Sequence, residues 1–174
     1  MIICNRWLPL FISIITFIRN KHKIPDITSL MITISELTMG TPETLKAINR
    51  LLPQLSASAS AISLDRLSEL VKSDNTLVFF CTDENGYIVG MLSLIVIKIP
   101  TGNKAWIEDV VVDESARGKG IGRDLMNHAH EEAKKHGVKS IDLTSRPSRE
   151  SANELYQSLG YEIRQTNVYR YKIS

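Results

Sequence analysis

Two acids, Glu108 and Asp109, stand side by side in an otherwise apolar run, AWIEDVVV. A carboxylate buried without a partner is costly, so the pair calls for either a structural partner or a chemical role. Neighbouring side chains of a strand face opposite ways, which predicts that the two do not share one role. A little further on, Arg117-Gly118-Lys119-Gly120-Ile121-Gly122 joins a strand to a helix. Glycines at this density let several backbone N–H groups converge, and the helix start adds its positive end. Such a turn suits a phosphate or pyrophosphate, with Arg117, Lys119 and Arg123 adding charge. It is not a P-loop, because no Lys-Ser or Lys-Thr follows a correctly spaced glycine. It is not a dinucleotide fingerprint, because the third glycine would fall on Arg123. A glycine turn that holds no ligand is the alternative.

Later, Asn153 and Tyr156 are three apart and share one side of a helix. Tyr156 could equally be a core aromatic beside Ala152, Leu155 and Leu159. Arg146 and Arg149 follow a strand and could hold a substrate phosphate or carboxylate; solvated or capping arginines are the alternative. His128, His130 and His136 lack the i,i+4 spacing of a helical metal pair and read as surface residues, so no metal is expected. Tyr87, Tyr169 and Tyr171 read as sheet-packing aromatics.

The elements that must position these residues are legible from periodicity. Residues 32–37 alternate like a strand. Thr41-Pro42-Glu43 starts a helix whose apolar positions are Leu45, Ile48, Leu51, Leu52 and Leu55. Ser63 starts a second helix. TLVFFCT and YIVGMLSLIVIKI flank Asn85-Gly86, a hairpin signal. Residues 100–104 read as a loop, AWIEDVVV as a third strand, and the glycine turn as the entry to a helix ending near Gly137. KSIDLTS is a strand, residues 148–159 a helix, and YEIRQ and VYRYKI a closing hairpin. The order β-αα-βββ-α-β-α-ββ predicts an α/β (mixed α+β) fold: a mixed, mostly antiparallel sheet with helices on both faces.

The 174 residues are one domain's worth of chain. Two cysteines, Cys4 and Cys81, exclude a disulfide scaffold and a zinc site of four cysteines. The net charge of +2 is too small to advertise nucleic-acid binding. It is also uneven: residues 1–30 carry four basic residues and one acid, a net +3, and residues 31–174 carry 17 basic and 18 acidic residues, a net −1. Residues 7–18 form an uncharged apolar run, WLPLFISIITFI, shorter than the ~20 residues a spanning helix needs. RNKHKIP follows it, in place of the small residues of a signal cleavage site. The expected organisation is therefore an extension, residues 1–30, and a domain, residues 31–174. A cytoplasmic location with no nucleic-acid or membrane partner is expected, and any interfacial anchoring would reside in the extension.

With its neighbours, R-G-K-G-I-G resembles the R/Q-x-x-G-x-G/A signature of the GNAT superfamily of N-acetyltransferases. IEDVVVDESA is similar to that superfamily's central strand, and ANELYQSLGYE to its later helix. WIEDVVVDESARGKGIG most resembles the glucosamine-phosphate N-acetyltransferases, whereas LTSRPSRESANELYQSLGY departs from them. The resemblance covers residues 31–174. It implies acetyl-coenzyme A as co-substrate and a primary amine as acceptor. It places the pyrophosphate on the N–H groups of Arg117, Gly118, Lys119, Gly120, Ile121 and Gly122, with Arg123 adjacent, and the pantetheine arm along Val110, Val111 and Val112. It implies Glu108, its pKa raised by burial, as general base and Tyr156 as general acid. Asn153 would bond the cofactor, and Asp109, Arg146 and Arg149 would face the acceptor. A small-molecule amine is the expected substrate; a protein or peptide amine, or a coenzyme A-binding module without turnover, are the alternatives. A homodimer through the last strands is left open.

Overall fold

The computed structural model describes residues 32–173; the apolar and basic extension, residues 1–30, lies outside them. The elements are β1 (Thr33–Glu36), α1 (Pro42–Leu55), α2 (Leu64–Val71), β2 (Thr76–Thr82), β3 (Ile88–Ile99), β4 (Gly102–Val112), a short 3-10 turn (Glu114–Ala116), α3 (Ile121–Lys135), β5 (Ile141–Leu143) and α4 (Glu150–Ser158). The five strands lie in sequence order in one sheet. β1 to β4 pair antiparallel, and β5 joins β4 in parallel.

Local chemistry sets these boundaries. Thr41 caps α1, its hydroxyl accepting from the Thr44 N–H at 3.2 Å, while Thr44 Oγ1 accepts from the Thr41 N–H at 2.9 Å; this reciprocal pair satisfies two N–H groups that the helix start would otherwise strand. Ser63 caps α2 through the Arg66 N–H. Alternation along β2 then divides the core. Phe79 and Cys81 face α3, with Leu92, Leu94, Ile107, Ile121, Leu125 and Met126. Val78 and Phe80 face α1 and α2, with Ile48, Leu51, Leu67, Met91 and Val111. The result is three layers, as the periodicity predicts.

Three expectations are corrected. The loop at residues 100–104 is a tight turn, because Ile99 already pairs with Gly102 and β4 begins there. The closing hairpin is absent: among the described residues no strand follows β5. The tail alternates, but an alternating ribbon needs a packed face to be stable, and here neither face is covered. Ile163 is 85% exposed and Ile173 92% exposed. Tyr87, Tyr169 and Tyr171 are likewise exposed rather than packed on the sheet.

Candidate active site

β4 and β5 pair only from Ala105 to Ile107. Beyond Ile107, β4 runs on to Val112 with no strand on that side, so its backbone groups there are not taken up by β5. A cavity of about 120 Å³ lies at this divergence. Its walls are residues 107–110 of β4 and Leu143 and Thr144 at the end of β5; Leu55 from α1 and Arg149 and Tyr156 from α4 complete it.

The wall contributed by β4 is irregular. Ser93 pairs with Glu108 and Met91 with Val111, so one residue of β3, Leu92, lies opposite two of β4, Asp109 and Val110. The extra residue makes a β-bulge. Asp109 sits in it with φ +52°, the left-handed region that a non-glycine residue seldom occupies. The bulge shifts the parity of the strand: Ile107, Val110 and Val112 pack toward α3, whereas Val111 packs toward α1 and α2. Glu108 and Asp109 consequently line the same cavity, and the expectation that they face apart is corrected.

The two acids differ in surroundings. Glu108 is exposed rather than buried, and its Oε1 accepts a hydrogen bond from Trp106 Nε1 at 2.7 Å. The expected desolvation falls instead on Asp109. That residue also keeps open surface, but its carboxyl is crowded enough for burial to push it above the ordinary carboxylate range. Across the cavity, burial raises the Tyr156 phenol above its usual value; the Arg149 charge opposes that shift and the Glu108 charge adds to it. A raised phenol stays protonated, the form a proton donor requires. Tyr161 backs Tyr156 edge-on, with ring centres 6.0 Å apart, and its hydroxyl bonds His130 Nε2 at 2.9 Å. His130 is thus half-buried in a polar contact rather than a surface residue, and His128 packs edge-on against Phe79.

The glycine turn has the anticipated geometry. Gly118 and Gly120 have φ of +76° and +83°, a conformation that side chains with a Cβ resist. α3 starts without a side-chain cap, and the first of its N–H groups to reach an intrahelical carbonyl is that of Asp124, on Gly120 at 3.1 Å. The Arg117 N–H is taken by the Glu114 carbonyl at 3.4 Å, but among the described residues the N–H groups of residues 118–123 have no backbone acceptor, so they are free for an anion. Gly122 serves packing instead, since a Cβ there would lie 3.2 Å from Leu155 Cδ2; this glycine lets α4 approach α3. Arg117 and Arg123 are partly engaged, Arg117 Nε on the Val112 carbonyl and Arg123 Nη2 on Ser158 Oγ. Lys119 is exposed.

Asn153 does not enter the small cavity. Its Nδ2 donates to the Arg146 carbonyl at 3.0 Å and holds the loop before α4. Arg146 is exposed and lies outside the small cavity, whereas Arg149 lines it and donates from Nη2 to the Leu55 carbonyl at 2.7 Å. That bond ties α4 to the end of α1. Gln54 and Arg50 brace α1 from the other side: Gln54 Oε1 accepts from the Glu114 N–H, and Arg50 pairs with Asp113 at 3.4 Å. Hydrogen bonds, chiefly from Ser115, hold Asp113 below the usual carboxylate range. Sequence reasoning did not find Trp106, Leu55 or this brace. Trp106 was accessible to it, because residues two apart on a strand share a face. The brace joins residues some 60 positions apart and has no local signal. A second groove, about 1270 Å³, runs between β5, α3, α4 and the tail, and Tyr156 borders it too.

A model of the acetyltransferase (GNAT) family matches residues 46–161. The chain belongs to that family. The GNAT resemblance of the glycine turn and central strand is thereby borne out. An uncharacterised N-acetyltransferase of Methanocaldococcus jannaschii is 35% identical over 96 residues, 53% of this chain and 42% of that protein. A glucosamine 6-phosphate N-acetyltransferase of Trypanosoma brucei brucei is 36% identical over 92 residues, 51% of this chain and 60% of that protein. The GNAT chain thus matches less than two thirds of the length of either relative. An aminoglycoside acetyltransferase from a soil metagenomic sample superposes with a TM-score of 0.73 at 22% identity, over 82% of this chain and 97% of the other. At that identity the likeness is one of fold, and it is the mixed α/β fold predicted. Among the described residues no helix is long and apolar enough to cross a membrane.

Proposed function

We propose that this GNAT chain is an N-acetyltransferase that moves an acetyl group from acetyl-coenzyme A to the primary amine of a small molecule, by direct attack with both substrates bound. The observation that carries the reading is the cavity between the diverging strands, where Glu108 and Tyr156 line one space of about 120 Å³. A space of that size suits an amine meeting a thioester end, and not a folded protein surface.

The residues fit the co-substrate. The free N–H groups of the glycine turn would hold its pyrophosphate, with Lys119 nearby, and the unpaired edge of β4 around residues 110–112 would take an extended arm as an added strand does. Acetyl-coenzyme A supplies the acetyl group as an activated thioester. Glu108, oriented by Trp106, accepts the proton that the ammonium must lose, directly or through a water. The attacking nitrogen forms its bond to the carbonyl carbon as the carbon–sulfur bond breaks. A backbone N–H in the bulge, near Val110, would be the donor to the oxyanion. Tyr156 gives its phenolic proton to the departing sulfur and recovers one from the amine by way of solvent.

The test is thiol release by the purified chain with acetyl-coenzyme A and a panel of amino sugars, amino acids, polyamines and short peptides. A small amine is expected to turn over. Coenzyme A binding without thiol release from any acceptor would replace the enzyme with a binding module, and turnover of peptides alone would replace the small molecule.

A further inference from the structure

The bulge in β4 delivers two carboxylates to one cavity where proton removal requires only one. Glu108 is already oriented by Trp106. Asp109 forms no hydrogen bond or ion pair through its carboxylate among the described residues, although the neighbouring acid Asp113 is fully engaged. Its backbone is held at φ +52°, which asparagine or glycine would tolerate without a charge. The one cation in the cavity wall, Arg149, spends a donor on the Leu55 carbonyl. The walls therefore carry two negative charges against one positive. A phosphorylated acceptor would approach two carboxylates, whereas a second ammonium would find one unpaired carboxylate at close range.

Resting on the acetyl-transfer reading, we propose that the acceptor is a di- or polyamine: one nitrogen is acetylated beside Glu108 while a second, still protonated, is held by Asp109. The two charges lie on adjacent residues, so a short alkyl spacer suffices to reach both. The nitrogen that reacts loses its proton to Glu108, and the second nitrogen keeps its own throughout, so the extra charge stabilises binding without entering the bond exchange. Asp109 is thus a specificity residue whose position depends on the bulge.

The experiment uses putrescine, butylamine and phosphoethanolamine, each titrated calorimetrically into the full chain in the presence of coenzyme A and each tried as acceptor in thiol release. Putrescine is expected to bind about tenfold tighter than butylamine, the factor a partly screened charge pair of about 1.4 kcal/mol supplies, and phosphoethanolamine weakest. In Asp109→Asn, which keeps the shape and tolerates the backbone, the putrescine-to-butylamine ratio should fall to about one. Asp109→Gly, which removes charge and strain together, should give the same ratio. Equal binding of the two amines by the unaltered chain, tighter binding of phosphoethanolamine, or an equal loss for both amines in the variants would overturn the proposal. Selective putrescine binding with no thiol release would instead overturn acetyl transfer and leave the cation site standing.

Discussion

Replacing Tyr156 by Phe separates chemistry from architecture in this site. The Tyr156 hydroxyl makes no hydrogen bond among the described residues, so its removal strands no partner. The ring keeps its edge contact with Tyr161 at 6.0 Å. Unfolding free energy should therefore change by less than about 0.5 kcal/mol, as for a substitution that removes no contact. The reaction, however, loses the donor for the departing sulfur, and general acid catalysis contributes about 10²–10⁴ in rate. At 1.36 kcal/mol per tenfold, that is roughly 3–5 kcal/mol of barrier. The assay is steady-state thiol release beside calorimetric coenzyme A binding: kcat should fall a hundredfold or more while coenzyme A affinity stays within about threefold, since the pyrophosphate would rest on backbone N–H groups of the turn and not on the Tyr156 hydroxyl. The pH profile sharpens the test. Burial raises the phenol above its usual value, so the acid is protonated through neutral pH, and activity should decline only above the ordinary tyrosine value of about 10. That alkaline limb should vanish in Tyr156→Phe. A variant with kcat within threefold of the parent, or with an unchanged alkaline limb, would refute the acid assignment.

Arg149→Met should move the same limb further up, because the Arg149 charge lowers the Tyr156 pKa; an unchanged limb would separate the two residues. The putrescine KM should rise on acidification with a midpoint above the ordinary aspartate value of about 3.9, because burial raises Asp109 and protonation abolishes its charge; a midpoint at or below that value would contradict the role given to it. Gly120→Ala forces a Cβ into φ +83° and should cost about 1–2 kcal/mol, read as a lowered urea midpoint, together with weaker coenzyme A binding; unchanged values for both would show that the turn relaxes freely. Leu51→Ala, on the fully buried face of α1, should cost about 2–5 kcal/mol in the same unfolding measurement, and a smaller loss would show that α1 does not anchor the cavity.

Much of this architecture is local and therefore legible. The caps Thr41 and Ser63, the Asn85-Gly86 turn and the glycines before α3 act within a few residues of themselves, and the strands and helices they delimit are found where periodicity puts them. What escapes depends on pairing partners. Strict alternation assigns Glu108 and Asp109 to opposite faces, but one residue of bulge, fixed by the register of β3 against β4, reverses that parity and brings them together. The alternating tail reads as strands because pattern records what a segment could bury and not whether an edge accepts it. Asn153 occupies the anticipated place on its helix, yet its amide is occupied by loop carbonyls that no motif reveals. Arg146 and Arg149 are equivalent in sequence, and what distinguishes Arg149 is its place in the cavity wall and its bond to the far end of α1.

In the proposed reaction Glu108 and Tyr156 act on an acetyl group and an amine meeting in one cavity. The most direct test supplies isotope-labelled acetyl-coenzyme A to the purified chain with putrescine and follows the label by mass spectrometry, in the parent and in Glu108→Gln and Tyr156→Phe. The label should appear on the amine in the parent, both variants should slow its appearance at least a hundredfold, and both should still bind coenzyme A. Label that never leaves coenzyme A in the parent, or that reaches the amine equally fast in all three proteins, would contradict the proposed reaction.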